Sequence, residues 1–160
     1  MILTSHSIIG VAAARLAPVN PILAFSLAFL SHFVADAIPH WEYKLSKISD
    51  PKYSEKISLN KDFAIDVMKV GSDILFGVLL SYFIFYGENP ELILIGILGG
   101  IFPDILQFLY GKIKIEPLIT FKKIHDAVHS ERMEDRMFFG IATQVITILF
   151  ITFLSYIFVN

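Results

Sequence analysis

Apolar residues fall along this chain in five blocks, separated by charge and proline. The first, Leu3 to Ala17, is short, rich in small residues and closed by Pro18 and Pro21. The second runs from Pro21 to Ile38 and stops before Pro39, because a residue preceding proline is disfavoured in helical geometry. Val70 to Tyr86, Leu92 to Tyr110 and Met137 to Val159 follow. At 1.5 Å per residue the last four reach roughly 25 to 35 Å, enough to cross a hydrocarbon core of about 30 Å with tilt or local thinning. The first is either a short span or a helix packed at an interface. Leu118 to Ser130, with Phe121, Ile124 and Val128 on one helical face, predicts a short interfacial helix. The expectation is an all-α fold in a single domain over residues 1–160: a polytopic membrane bundle of four to five spanning helices plus that interfacial helix. Gly96 and Gly100 form a small-xxx-small pair that would admit a neighbouring helix closely.

Composition strengthens the membrane reading. Hydrophobic residues make up 55% of the chain and charged ones only 18%, against about a quarter in ordinary soluble domains. Mean hydropathy is +0.66. A disordered segment, a basic nucleic-acid-binding domain and a disulfide scaffold are all excluded, the last because there is no cysteine. Any metal must therefore be held by histidines and carboxylates. The segment Met1 to His6 has no basic residue, so the first block is expected to be retained rather than cleaved as a signal peptide.

Charge placement orients the bundle. Lys44, Lys47, Lys52, Lys56, Lys61 and Lys69 lie between blocks two and three, and Lys112, Lys114, Lys122, Lys123, Arg132 and Arg136 between blocks four and five, leaving only Arg15 of 13 bases elsewhere. Gly87 to Glu91 joins blocks three and four with two acids and no base. Short cytoplasmic loops are enriched in Lys and Arg, so both basic loops and the N-terminus are expected inside, in a cell inner membrane. The basic loops themselves are explained by topology and by attraction to anionic membrane lipids.

Ionisable groups within apolar spans are costly and commonly functional. His32 and Asp36 are one helical turn apart on one face, and His125 and His129 repeat that spacing. Such i, i+4 pairs can chelate one ion. Asp104 follows Pro103 in an apolar stretch, Asp73 interrupts the third block, and His6 and His40 lie near the inner ends of the first two. With the predicted topology, all of these fall at one level near the cytoplasmic face. The candidate metal ligands are thus His6, His32, Asp36, His40, Asp104, His125 and His129. His40 precedes Trp41 and could instead be a headgroup-level residue. Asp66 reads as solvated or paired, and Asp126 and Glu131 as solvated. More than four ligands imply two ions, or one ion with further carboxylates orienting the histidines. Such a donor set suits Zn²⁺, with Mn²⁺ or Fe²⁺ as alternatives.

Thr4-Ser-His6-Ser-Ile-Ile-Gly10, Gly100-Ile-Phe-Pro-Asp104-Ile and His125-Asp-Ala-Val-His129-Ser130 resemble the T-x-H, L-P-D and H-x-x-x-H-S signatures of the YdjM-like inner-membrane proteins, a family of metal-dependent hydrolases. His32-Phe-Val-Ala-Asp36 is similar to the HxxxD element of the zinc-dependent phospholipase C and single-strand nuclease superfamily. The family's Pro-Asp motif continues with a second Asp and a His, where this chain has Ile105, Leu106 and Gln107, and Asp126 stands where an arginine is common. These departures leave the ion count open between one and three. The resemblance implies phosphoester hydrolysis by metal-activated water, with Asp73 as general base and Arg132 holding a phosphate through its planar fork. A site at headgroup depth makes a lipid or lipid-linked phosphate the natural substrate. A divalent-metal transporter and a non-catalytic scaffold with a structural metal are the alternatives; the apolar outer halves of blocks three and four disfavour a path for ions across the membrane.

Overall fold

The computed structural model describes residues 1–45, 61–130, 133 and 135–159. Arg132 and Glu131, like Lys47, Lys52 and Lys56, lie outside the described residues. Among the described residues six helices follow one another: α1 (Leu3–Ala14), α2 (Pro21–Asp36), α3 (Lys61–Ile84), α4 (Pro90–Lys112), α5 (Leu118–Val128) and α6 (Met137–Val159). Among the described residues there is no strand.

Local chemistry explains the starts of two of them. Asn20-Pro21 and Asn89-Pro90 each place a capping side chain before a proline at the first helical position, where its missing N–H is no loss. The Asn20 carboxamide accepts from the Leu23 N–H at 3.1 Å, and that of Asn89 from the Glu91 N–H at 2.8 Å.

The shortest apolar helix is the centre of the bundle. Ten residues of α1 are buried, on every side, and α2, α3, α4 and α6 all pack against it. Glycines permit this. A Cβ on Gly96 would stand 2.5 Å from the Val11 Cα, and one on Gly10 would stand 2.3 Å from the Gly96 carbonyl oxygen. Gly96 and Gly100 thus receive α1, while Gly99 on the adjoining face receives α2, its Cβ position 2.7 Å from that of Ala28. Backbones packed this closely hold side chains at the helix ends in fixed relation.

The span count differs from the expected four to five. Among the described residues, only α4 and α6 are both long and apolar enough to cross a membrane. Helix α1 stops at 12 residues, about 18 Å, and α2 at 16, about 24 Å, both short of a 30 Å hydrocarbon core. Helix α3 begins at Lys61, nine residues before the apolar block, because nothing between Lys61 and Lys69 breaks a helix. Its 24 residues include Asp62, Asp66, Lys69 and Asp73. Asp66, read from the sequence as solvated or paired, is fully buried.

Helix α6 leaves an apolar face uncovered, with Phe138 80%, Ile146 65%, Leu149 64% and Phe158 72% exposed. A face of this kind needs a partner or lipid. Arg15, the base outside the basic loops, is buried at the far end of α1. Its Nε donates to Glu88 at 2.6 Å and its Nη1 to Ser155 Oγ at 3.0 Å, and its guanidinium lies 4.0 Å from the Tyr156 ring centre. The acidic turn between α3 and α4 is thereby tied to α1 and α6.

Candidate metal centre

The opposite end of the bundle collects the chain's five histidines. His6 comes from the first turns of α1, His32 and Asp36 from the last turns of α2, His40 from the loop after it, and His125 and His129 from the end of α5. All five direct Nε2 at one carboxylate. Asp36 Oδ2 lies 3.1 Å from His32, 3.4 Å from His125 and 3.7 Å from His129, and Oδ1 lies 3.2 Å from His6 and 3.8 Å from His40. The Met1 amino group also rests on Oδ1.

Ring orientation is set from outside the cluster. His32 Nδ1 donates to the Gly100 carbonyl at 2.8 Å, His40 Nδ1 to that of Ile38 at 2.7 Å, and His129 Nδ1 to that of Ser130 at 2.7 Å. A carbonyl only accepts, so the proton sits on Nδ1 and the Nε2 lone pair faces inward. This is the arrangement by which backbone acceptors orient metal-binding imidazoles. His6 is fully buried and stacks on His32 at 3.8 Å between ring centres; its Nε2 faces Asp36 Oδ1 at 3.2 Å and its Nδ1 has no hydrogen-bond partner. A buried polar atom without a partner costs about 1–3 kcal/mol. A cation beside the Asp36 carboxylate would have Nε2 as a further donor.

The segment after α5 is docked by its backbone. Ser130 N–H donates to the Asp36 carbonyl at 2.8 Å, Ser130 Oγ to the Ile38 carbonyl at 2.9 Å, and Met133 N–H to the His40 carbonyl at 2.9 Å. Ser130 of the H-x-x-x-H-S pattern therefore acts as a clamp on the loop after α2. Helix α5 itself packs through Phe121, against Phe29 and Phe33, and through His125; Ile124 and Val128 face outward.

Seven expected ligands, His6, His32, Asp36, His40, Asp104, His125 and His129, come together in three overlapping groups, and Glu42 joins them. Glu42 Oε1 lies 2.9 Å from His40 Nε2 and 3.2 Å from His129 Nε2. Its only sequence signal is its place two residues after His40, which helical spacing does not reward because the residues between are not helical. Its carboxylate holds the His129 imidazole above the usual histidine range, the hydrogen bond outweighing the effect of burial. A proton therefore competes with a cation for His129. Gln107 brings its amide within 2.8 Å of His125 Nε2.

No protein-family model, curated protein or solved structure matches this chain. What the centre can do must be read from its own donors. In a tetrahedral site with bonds of 2.0 to 2.2 Å, donor atoms stand about 3.4 Å apart. The measured separations, from 2.9 Å for His40 and Glu42 to 3.9 Å for His32 and Asp104, bracket that value. Neutral imidazoles and carboxylates, buried and preoriented, fit a divalent ion.

Asp73 stands apart from these groups. Its Oδ2 accepts from the Leu3 N–H at 2.7 Å and the Tyr43 hydroxyl at 3.0 Å, and its Oδ1 from the Thr4 N–H at 3.0 Å and the Thr4 hydroxyl at 2.6 Å. Ile2, the residue before α1, offers no capping side chain, so the first N–H groups of the helix are satisfied from α3 instead. Burial beside Asp73 pushes the Tyr43 phenol up, keeping it a donor. Gln144 of α6 completes the collar: its Oε1 accepts from the Ile2 N–H and Ser5 Oγ, and its Nε2 donates to the Trp41 carbonyl. Neither Tyr43 nor Gln144 carries a signal in the sequence. Asp73→Ala is expected to lower stability by about 1–2 kcal/mol, as loss of a helix cap does, with Asp73→Asn costing less; thermal unfolding in detergent measures both.

Proposed function

We propose that the protein is a membrane-embedded, metal-dependent hydrolase acting on a phosphoester, foremost a lipid or lipid-linked phosphate, with its centre at the cytoplasmic face of an inner membrane. The observation that carries this reading is the approach of five Nε2 atoms to the single buried carboxylate of Asp36. A carboxylate offers about four lone-pair sites, and three of these imidazoles have their proton engaged elsewhere. Five imidazole nitrogens gathered around one carboxylate in this way form a donor set suited to a divalent cation. Zinc is favoured by the imidazole-rich set, with manganese or iron able to occupy it.

A bound divalent ion supplies an activated water near neutral pH and neutralises charge on phosphate oxygens. The chain's own groups do the rest. Asp36, His32 and His125 hold the ion deep in the bundle, where low dielectric strengthens each contact. Asp104, its side chain 31% exposed, and Glu42, 20% exposed, border the way in. Asp73, expected as a general base, is fully engaged in holding α1, and we read it as the residue that positions His6. Arg132, close in sequence to His129, is proposed to hold the phosphate.

Membrane embedding is supported by the uncovered faces of α4 and α6 and by the basic loops; α2 and α3 are proposed to enter the bilayer beside them. The motif resemblance to the YdjM-like proteins points the same way. A transporter reading has less support, since the far half of the bundle is plugged by the Arg15–Glu88 pair and Phe85. No nucleic-acid partner is expected.

Purified protein is expected to carry divalent metal in stoichiometric amount and to hydrolyse members of a panel of phosphate monoesters, diesters and phospholipids, with turnover abolished by chelation and restored by metal. Absence of bound metal from the folded protein, or metal without hydrolysis of any panel member, would sink the reading. Uptake of metal into liposomes without hydrolysis would favour transport.

A further inference from the structure

The ligands around Asp36 divide into two lobes that offer different numbers of protein donors. We infer that the centre holds two ions: one closed in by Asp36, His40, Glu42 and His129, and a second, held by His32, Asp104 and His125, that keeps a position open to water and substrate. The inference rests on the metal-dependent reading above and adds a new ligand, Glu42, and a division of labour.

Four donors converge in the first lobe. His40 Nε2 and His129 Nε2 lie 2.9 and 3.2 Å from Glu42 Oε1, and 3.8 and 3.7 Å from the oxygens of Asp36. Both rings spend Nδ1–H on backbone carbonyls, of Ile38 and Ser130. In its neutral form each ring therefore turns a lone pair toward a carboxylate oxygen, and a cation or an extra proton on the ring must lie between. In this structure the Met1 amino group bridges Asp36 Oδ1 and, at 3.2 Å, Glu42 Oε1, the place an ion would take. Four protein ligands complete a tetrahedral shell, as in structural zinc sites.

The second lobe has three donors. His32 Nε2 lies 3.1 Å from His125 Nε2 and 3.9 Å from Asp104 Oδ1. His32 is committed by Nδ1 to the Gly100 carbonyl, so its Nε2 is an acceptor, and His125 Nε2 lies 3.1 Å from it, at hydrogen-bond distance and near the donor spacing of a shared ion. Three protein ligands plus an open position is the pattern of catalytic sites. Asp104, its side chain 31% exposed, is the solvent-facing member of the three, and the Gln107 amide lies 2.8 Å from His125 Nε2.

Asp36 joins the lobes. Its two oxygens face different histidines, Oδ2 toward His32, His125 and His129 and Oδ1 toward His6 and His40, so both lobes share Oδ2. His6, buried and 3.2 Å from Oδ1, adds a donor at the shared carboxylate.

The test counts ions. Full-length protein in detergent, stripped and reloaded with Zn²⁺ or Mn²⁺ alone, is expected to bind two ions per chain, with a spin-coupled manganese pair by electron paramagnetic resonance. Glu42→Gln and Glu42→Ala are expected to bind one, with the coupled signal replaced by that of isolated manganese. Glu42→Gln keeps the shape of the side chain, and circular dichroism verifies that each variant is folded. Asp104→Asn is expected to lose the other ion and keep the Glu42 one. One ion in the wild type overturns the two-ion centre but leaves the hydrolase reading standing, whereas none overturns both. Two ions in folded Glu42→Ala overturn the role of Glu42, and loss of both from it overturns the division into lobes.

Discussion

Asp36→Asn is expected to strip the protein of metal and to reduce hydrolysis by well over 100-fold, the scale set by residues that only orient ligands, whose loss costs 10–100-fold. The carboxylate is the one group that every histidine approaches, at 3.1 to 3.8 Å. An amide in its place keeps the shape but removes the charge, and it turns an NH₂ group toward lone pairs that a cation should occupy. Removing one partner from a buried charged cluster typically costs 3–5 kcal/mol, and here the Met1 amino group would lose its contact as well. Metal content by mass spectrometry and turnover on the best phosphoester of the panel measure the effect. Asp36→Asn protein that keeps its metal would show that the histidines bind without the carboxylate. The magnitude should exceed that for Asp73, which touches the helix bearing His6 but none of the clustered nitrogens.

Gly100→Val is expected to be the most damaging single change outside the ligands. A Cβ at that position would lie 2.2 Å from the His6 carbonyl oxygen and 3.2 Å from the Gly10 Cα. Both neighbours are backbone, so relief requires moving α1 away from α4. Overpacking a core costs about 1–3 kcal/mol, occasionally more, when side chains give way. A backbone clash belongs at or above the upper end. At about 2–4 °C per kcal/mol for a chain of this size, a fall of roughly 6–12 °C in Tm is expected. The site should suffer too, because the Gly100 carbonyl orients His32 and α1 carries His6. Gly71→Ala supplies the contrast. A Cβ there meets nothing within 4 Å, so the helix should gain up to about 1 kcal/mol from reduced backbone entropy. Equal effects of the two substitutions would refute the close-packing account.

The candidate centre was unusually legible because histidine is scarce in apolar chains. His32 with Asp36, and His125 with His129, stand out by i, i+4 spacing alone, and Asp104 by its apolar surroundings. Glu42 was not legible, since it reaches the cluster from an irregular loop whose path depends on Ser130 and Met133 pairing with it. Asp73 looked functional for the same reason as the others, an acid in an apolar helix. Its actual surroundings, the uncapped start of α1, follow from which helix lies beside α3, and no spacing rule encodes that.

Hydrophobic blocks, prolines and asparagine caps are local signals, and they determined the helices, their order and the side chains able to bind a metal. The limits of α1 and α2, and with them the number of helices long enough to cross a bilayer, came from where the chain turns against its neighbours. Tertiary structure alone decided that the shortest apolar helix is the central one, that Gly96, Gly99 and Gly100 open α4 to a partner on each side, and that Glu42 faces His40 and His129 while Asp73 faces α1. The physical reason is range. Helix formation is set by neighbours within a turn or two, whereas ligand geometry depends on contacts between residues as far apart in sequence as Ile2 and Gln144.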